Sequence, residues 1–278
     1  MGIEHESEVY RYLRRSKKFP NVWCAGCGIG IVMGALIRAV HALGLDQGQV
    51  AVISGIGCAG RMPVYMEFNT MHTTHGRALA FATGLKLAKP KMHVIVVMGD
   101  GDALAIGGNH FIHAARRNIG LTAIVINNSI YGMTGGQYSP ATPAGTIAST
   151  AVYGTIEQPF SPCDLAAAAG ASFVARSTVY HAVELDHLIE RAMCKEGFAL
   201  VEAVSYCHTT LGRLNRVGTA VDMMRALKEK GITQEAAAKL SPDERADKIV
   251  RGVLVDRDIP EYTAEYQKLI DRVQAAIA

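Results

Sequence analysis

The sequence predicts a doubly wound α/β fold, in which helices cover both faces of a mostly parallel sheet. Apolar runs of strand length alternate along the chain with longer segments of helical periodicity. A hydrophobic content of 49% and 28 glycines are typical of a folded α/β enzyme and not of a disordered or fibrous chain. The length of 278 residues is sufficient for one large core with a smaller appendage.

The elements of this domain are expected in a regular order up to Gly212. Short apolar runs predict buried strands, helical periodicity predicts helices, and Pro90 ends the second helix. A further helix is expected between the second and third strands, and the loop 128–162, rich in Gly, Thr, Ser and Pro, is expected to be functional or to pack on a partner. The predicted strands are residues 50–54, 93–98, 121–126, 172–176 and 199–204, and the predicted helices are residues 29–43, 77–88, 163–169 and 182–195.

The composition changes after Gly212, which divides the chain into a domain over residues 1–212 and a helical extension over residues 213–278. The extension holds 23 of the 53 charged residues, 12 basic and 11 acidic. Amphipathic helices are expected at residues 221–230 and 262–277. The pattern fits a solvated helical tail and an arm that wraps a partner subunit equally well.

Charge and hydropathy exclude several functions. A net charge of +3 is too small to indicate binding to nucleic acid or to a membrane surface. No apolar run is long enough to span a bilayer. Residues 1–15 carry charges of both signs without an apolar core, which is unlike a signal peptide. A cytoplasmic enzyme is therefore expected.

Two short polar motifs follow neighbouring strands of the predicted sheet. Gly99-Asp100-Gly101 ends the second strand, and Asn127-Asn128 ends the third after 25 intervening residues. Because parallel strands end at the ligand-binding edge, a carboxylate and a carboxamide are expected to converge there as oxygen ligands for Mg²⁺. The glycines let the backbone approach a phosphate, towards which the next helix directs its N-terminus. Each motif alone is typical of an ordinary turn, but together they predict a site for Mg²⁺ and a diphosphate.

Four of the six cysteines are expected at the same edge. In a chain without an export signal, spaced cysteines indicate metal or redox chemistry more often than disulfides. Cys24 and Cys27 form a C-x-x-C pair, which suits a redox disulfide, half of a zinc site or part of an iron–sulfur site. Cys58 follows the first strand and Cys207 the last. Beside an organic cofactor, four thiols suit a [4Fe–4S] cluster better than structural zinc.

Six motifs occur together in this chain: W-C-A-G-C-G, G-I-G-C-A-G-R, H-G-R-A-L-A, G-D-G-D, N-N-S-I-Y-G-M-T-G-G-Q and a final C-H. The G-D-G and N-N pair resembles the signature of thiamine diphosphate (ThDP) enzymes, and the whole set resembles the β subunit of 2-oxoacid:ferredoxin oxidoreductases, most like those that use 2-oxoglutarate. The resemblance implies the ThDP-binding fold of the diphosphate-binding type. It also implies that Mg²⁺ is held by Asp100, Asn128 and the carbonyl of Ile130, and a [4Fe–4S] cluster by Cys24, Cys27, Cys58 and Cys207.

The same resemblance implies a set of residues that contact ThDP. His75 would donate to the diphosphate from a helix N-terminus, although a capping or core histidine is the plainer alternative. Asp102 would either contact the cofactor or cap the helix that follows it. The complete implied set is Ile56, Gly57, Cys58, His75, Gly99, Asp100, Gly101, Asp102, Asn128, Ile130, Tyr131, Gly132, Met133 and Thr134.

The implied reaction is CoA-dependent oxidative decarboxylation of a 2-oxoacid to an acyl-CoA, or the reverse carboxylation. ThDP supplies the carbanion chemistry, and the cluster passes electrons singly to ferredoxin. Arg61 is expected to pair with a substrate carboxylate, the alternative being a surface arginine. Small residues near Gly135 favour 2-oxoglutarate and thus succinyl-CoA as the product. A pyruvate or broad-range 2-oxoacid enzyme is the nearest alternative.

The resemblance also implies a partner. The glutamate that activates the aminopyrimidine ring of ThDP belongs to a pyrimidine-binding domain, for which this chain has no room. It is expected on an α subunit, so that the working unit is at least αβ and expected to be (αβ)₂. The more distant alternatives are a non-redox ThDP lyase or synthase with incidental cysteines, and a zinc-stabilised scaffold subunit.

Overall fold

A computed structural model describes residues 8–16 and 20–277 of the chain. Its strands are β1 (Val50–Ser54), β2 (Asn69–His72), β3 (His93–Gly99), β4 (Thr122–Asn127), β5 (Phe173–Thr178), β6 (Ala199–Val204), β7 (Gly231–Thr233) and β8 (Ile249–Asp256). Its α-helices are α1 (Ile29–Ala42), α2 (Ala78–Ala88), α3 (Gly108–Arg117), α4 (Pro162–Ala169), α5 (Ala182–Cys194), α6 (Ala220–Lys230), α7 (Gln234–Ala237), α8 (Pro242–Arg245) and α9 (Tyr262–Ile277).

The strands form an eight-stranded sheet in the order β2-β1-β3-β4-β6-β5-β8-β7. Neighbouring strands run parallel except β5 and β8, which are antiparallel. The first strand, β1, lies next to the edge strand β2, and β3 and β4 follow on its other side. The later strands β5, β6, β7 and β8 extend the sheet beyond β4, and helices lie between the parallel strands. The predicted doubly wound, mostly parallel fold is confirmed.

Two hydrophobic cores lie on opposite faces of this sheet. Ile95 and Val97 of β3 face the core formed with α1 and α5, whereas Val94, Val96 and Met98 face the core formed with α2, α3 and α4. The side chains of successive residues in a strand point to opposite faces of the sheet. A strand that is buried on both faces therefore has a continuous run of apolar residues in its sequence. Because β1, β3 and β4 are neighbours and run parallel, the loops that follow them lie together at one edge of the sheet.

The C-terminal part of the chain differs from the expectation. Helices α6 and α9 lie where the sequence predicts them, but residues 249–256 form β8, which pairs with β5 and extends the sheet beyond Gly212. The helical extension predicted for residues 213–278 thus also contains strands β7 and β8, which the sequence analysis did not predict. Strand β8 was missed because its side chains are mostly half-buried and it lies among charged residues. The division of the chain at Gly212 stays a prediction.

Helix α9 contributes nothing to either core, since none of its residues is buried. In residues 8–16 and 20–277, no helix is long and apolar enough to cross a membrane. The prediction that residues 1–15 form no signal peptide falls partly on residues 1–7, which lie outside the described residues.

Candidate active site

A cavity of about 180 Å³ opens at the carboxyl edge of the sheet, between the loops that follow β1, β3 and β4. All fourteen residues of the implied ThDP-binding set lie on its wall. Three further wall residues, Ile29, Ala59 and Ile126, are apolar and were not predicted. The sequence motifs therefore come together in space, at the edge where a parallel sheet binds its ligands.

Three oxygen-bearing groups converge inside this cavity. One terminal atom of the Asn128 carboxamide lies 2.8 Å from the carbonyl oxygen of Ile130 and 3.2 Å from Asp100 Oδ1. An amide nitrogen in that position donates to both oxygens, and rotation of the carboxamide would present its oxygen to a cation instead. Carboxylate, carboxamide and backbone oxygens are the ligands that Mg²⁺ prefers. The donor set therefore fits the metal that the motifs imply.

The Asp100 carboxylate is 2% exposed, and the long loop supplies one of its hydrogen-bond donors. Ser139, on that loop, donates its hydroxyl to Asp100 Oδ2. Burial raises the pKa of the Asp100 carboxyl to about 6, although the Ser139 hydrogen bond opposes the shift. A divalent cation beside the carboxylate would favour the charged form. Sequence analysis missed Ser139, since only the fold of the loop brings it to Asp100.

Asp102 organises the opposite wall. Its Oδ1 accepts from the backbone N–H of Gly76 at 2.6 Å, from that of Ile56 at 3.3 Å and from His75 Nδ1 at 2.7 Å. These three bonds go to other segments and not to the helical segment that Asp102 begins, Asp102–Ile106, so they are not the capping bonds of the alternative. Burial raises the pKa of Asp102, and the backbone donors of Gly76 and Ile56 oppose this. With Nδ1 donating to the carboxylate, His75 keeps Nε2 available on the cavity wall.

Gly101 permits a close approach that no other residue allows. A Cβ atom at this position would lie 2.2 Å from the Tyr131 ring. The Tyr131 hydroxyl donates to the Gly101 carbonyl at 3.1 Å. The second glycine of G-D-G thus lets the ring from the N-N loop close one end of the cavity.

Four thiols gather beside the cavity, and Cys58 belongs to both the thiol group and the cavity wall. Thr209 Oγ1 lies 3.6 Å from Cys24 Sγ and 3.7 Å from Cys207 Sγ. Burial raises the pKa of Cys58 to about 11, and the charges of Cys27, Cys207 and Cys24 add to the shift. The pKa of Cys27 is also raised, first by burial and then by Cys207 and Cys24.

All six cysteines lie in the described part of the chain and are free of disulfides. Within residues 8–16 and 20–277, no three His, Cys, Asp or Glu side chains are arranged to hold a single metal ion. The four predicted thiols are nevertheless close enough to raise one another's pKa, as the shifts of Cys27 and Cys58 show.

Arg61 lies close to the cavity but not on its wall. It belongs to a 3₁₀ helix, Ala59–Tyr65, and its backbone N–H donates to the carbonyl of Cys58 at 3.3 Å. The residue is half-buried, and no ion pair involves its side chain within the described residues. Its predicted contact with a substrate carboxylate stays a prediction.

Comparison with known proteins agrees with this geometry. Residues 46–203 match the family model described as "Thiamine pyrophosphate enzyme, C-terminal TPP binding domain". The 2-oxoglutarate synthase subunit KorB of Methanothermobacter thermautotrophicus is 48% identical over 268 residues, which are 96% of this chain and 93% of that protein. The subunit of the same name from Archaeoglobus fulgidus is 54% identical over 224 residues, 81% of either chain.

A solved structure is also similar. The 2-oxoglutarate:ferredoxin oxidoreductase from Magnetococcus marinus, with 2-oxoglutarate, coenzyme A and succinyl-CoA bound, superposes with a TM-score of 0.85 at 34% identity. The match covers 97% of this chain and 92% of that one. The resemblance found in the motifs is thereby confirmed. The chain belongs to the thiamine pyrophosphate enzymes and, within them, to the β subunits of the 2-oxoacid:ferredoxin oxidoreductases, among the KorB subunits.

Proposed function

We propose that this chain is the β subunit of a CoA-dependent 2-oxoglutarate:ferredoxin oxidoreductase, which forms succinyl-CoA and CO₂ or runs in the reverse direction. The observation that carries the proposal is the convergence of the Asp100 carboxylate, the Asn128 carboxamide and the Ile130 carbonyl in a cavity whose wall includes Cys58. That arrangement would join a Mg²⁺–diphosphate site to a group of thiols. It accommodates decarboxylation and electron removal at one place.

The cavity residues bind and orient the cofactor. ThDP held here would supply the nucleophilic carbon and the electron sink that decarboxylation of a 2-oxoacid needs. Asp100, Asn128 and the Ile130 carbonyl would hold the Mg²⁺ that neutralises its diphosphate. His75, kept in one orientation by Asp102, would offer Nε2 to the same group. The Gly99-Asp100-Gly101 turn leaves room for the diphosphate to approach the backbone.

The four thiols would bind the group that accepts the electrons released by decarboxylation. Cys24, Cys27, Cys58 and Cys207 would ligate a [4Fe–4S] cluster, which takes electrons one at a time for ferredoxin. Because burial raises the pKa of Cys58, the free thiol stays protonated at neutral pH, and iron must displace its proton. The shared position of Cys58 supports a cluster next to the ThDP site.

The enzyme requires a second chain. The relatives are named as subunits, which implies an α partner. We infer that the α subunit supplies the glutamate that activates the aminopyrimidine ring, and that two αβ units associate as (αβ)₂. The isolated chain is accordingly expected to be inactive. A cytoplasmic location stays a prediction.

Replacing Arg61 with Ala is expected to raise KM for 2-oxoglutarate roughly tenfold or more, with little change for pyruvate, since a charge-assisted hydrogen bond to the second carboxylate is lost. Two features support this role: Arg61 adjoins the cavity without an ion pair in the described part of the chain, and a Cβ at Gly135 would meet open space. Steady-state kinetics with both acids measure the effect. Arg225→Ala, on the exposed face of α6, is the control, and equal changes for the two acids would remove the role.

The proposed function is tested by purifying the chain anaerobically with its α partner and following viologen reduction with a panel of 2-oxoacids. We expect CoA-dependent reduction with 2-oxoglutarate as the best substrate, together with the visible absorption and EPR signal of an iron–sulfur cluster. A colourless complex with stoichiometric zinc would favour the scaffold alternative. Turnover without viologen reduction would favour a non-redox lyase. Faster turnover of pyruvate than of 2-oxoglutarate would identify the protein as a subunit of a pyruvate enzyme instead.

A further inference from the structure

A buried carboxylate lies in the middle of the sheet, away from the cavity. Glu202 of β6 is 2% exposed, although every other residue of that strand is apolar. Arg176 Nε donates to Glu202 Oε2 at 2.6 Å, and the thiol of Cys163 donates to the same oxygen at 3.1 Å. A buried carboxylate requires such donors because burial removes its hydration. The second oxygen of this carboxylate has a different partner.

Glu202 Oε1 accepts a hydrogen bond of 2.8 Å from Asn127 Nδ2. Asn127 is the first asparagine of the N-N motif, and the implied metal ligand is the second. The side-chain oxygen of Asn127, Oδ1, accepts hydrogen bonds from the backbone N–H of Ser129 at 3.1 Å and from the Ser129 hydroxyl at 3.3 Å. A continuous chain of hydrogen bonds therefore runs from the sheet interior to the loop after β4.

Ser129 is the residue of the loop that receives the last hydrogen bonds of this series. Its φ angle of +59° is in the left-handed region, which a serine adopts only at a conformational cost and a glycine without it. Ser129 also lies between Asn128 and Ile130, so its backbone conformation sets the orientation of these two residues relative to each other. The Asn127 hydrogen bonds hold that conformation. On the other side, Thr142 Oγ1 donates to the Ser129 carbonyl at 2.6 Å.

We propose that Asn127, held in place by Glu202, is a positioning residue for the metal site: it maintains the left-handed turn at Ser129 that brings the Asn128 and Ile130 oxygens to Asp100. The inference rests on the proposed function, since it concerns the same Mg²⁺ site. It assigns a role to the first asparagine of the motif, which is not itself a ligand. It also accounts for a glutamate in an otherwise apolar strand.

The test measures binding of Mn²⁺, as a probe for Mg²⁺, by EPR of the free ion in the presence of ThDP, using the complex of the full chain with its partner subunit. Asn127→Ala is expected to raise the Kd for Mn²⁺ roughly tenfold, the effect of losing about one well-formed hydrogen bond. Ser129→Gly in the Asn127→Ala background is expected to recover much of that loss, because glycine adopts the left-handed turn unaided. Ser129→Gly alone should change the Kd by less than about twofold.

A matched control separates positioning from general stability. Ser177 Oγ donates to Glu184 Oε2 at 2.6 Å, a comparable hydrogen bond to a carboxylate that is not connected to the turn. Ser177→Ala is expected to lower the melting temperature without changing the Kd for Mn²⁺. If Asn127→Ala does not fold, Glu202→Gln weakens the same chain while keeping side-chain size, and Ser129→Gly should rescue it in the same way.

The outcomes are distinct. Weaker Mn²⁺ binding by Asn127→Ala with rescue by Ser129→Gly supports the proposal. An unchanged Kd together with a lower melting temperature would reduce Asn127 to a structural role, and weaker binding without rescue would exclude the turn at Ser129 as the route. If the wild-type complex itself binds no Mn²⁺ with ThDP, the proposed function fails, and this inference fails with it.

Discussion

Replacing Asp100 with Ala should lower the affinity for Mg²⁺ and ThDP by about a hundredfold or more, since groups that merely orient a metal ligand typically contribute about 10- to 100-fold. Asp100 is the one carboxylate among the three groups that converge in the cavity. Without it, two neutral oxygens would have to hold a divalent cation beside a diphosphate. Turnover of 2-oxoglutarate by the αβ complex should fall to background. Calorimetric titration of ThDP with saturating Mg²⁺, alongside viologen reduction, measures both effects.

Asp100→Asn serves as the folding control for this prediction. Burial raises the folded-state pKa of Asp100 from 3.8 to about 6, so the cofactor-free fold favours the neutral carboxyl. The stability associated with the neutral form is present below pH 3.8 and is lost as the pH rises through about 6. At pH 8 the cofactor-free Asp100→Asn protein should therefore melt no lower than the wild type. Loss of affinity accompanied by a marked loss of stability would indicate misfolding, and retained affinity would exclude Asp100 as a ligand.

The same pKa predicts the pH dependence of metal binding in the wild type. Below about pH 6 a proton competes with Mg²⁺ for Asp100, so the affinity should fall roughly tenfold for each pH unit. The Asp100→Asn protein lacks this competition and should show no such slope.

How much of the fold could be predicted depended on how deeply each strand is buried. Residues 50–54 and 199–204 were predicted to the residue, since both strands are buried and almost wholly apolar. Strand β2 was missed because N-T-M-H is a polar and largely exposed edge. Strand β8 was missed for a related reason, as its half-buried side chains give no continuous apolar run.

The site was predictable where a motif encodes it and not where the fold alone brings residues together. G-D-G and N-N each follow a strand, so topology sufficed to predict that Asp100 and Asn128 meet. Ser139 reaches Asp100 across 39 residues of sequence, within a loop without periodicity. Glu202 did carry a signal, because a charged residue inside an apolar strand indicates a buried partner. The position of Arg61 was not predictable in this way: it follows the wall residues Cys58 and Ala59 in sequence but does not itself lie on the cavity wall.

Replacing Cys58 with Ala should remove the iron–sulfur cluster and, with it, all ferredoxin or viologen reduction. Cys58 is the thiol of the group that also lies on the cavity wall, so it connects the two cofactors. Loss of one of four thiolate ligands exposes an iron atom and makes the cluster labile. The affinity for Mg²⁺ and ThDP should change little, because Cys58 contributes no oxygen to the metal site. Iron and sulfide analysis, EPR of the anaerobic αβ complex and calorimetric titration of ThDP measure the two effects separately.

Cys194→Ala is the matched control, since this exposed thiol at the end of α5 lies outside the group of four. It should retain full iron content and activity. Iron content equal to that of the wild type in Cys58→Ala would show that the thiols do not ligate a cluster together. Simultaneous loss of iron and of ThDP binding would mean that Cys58 supports the cavity itself. Loss of iron alone, with ThDP still bound, is the result expected if electrons leave the cofactor through the thiol group.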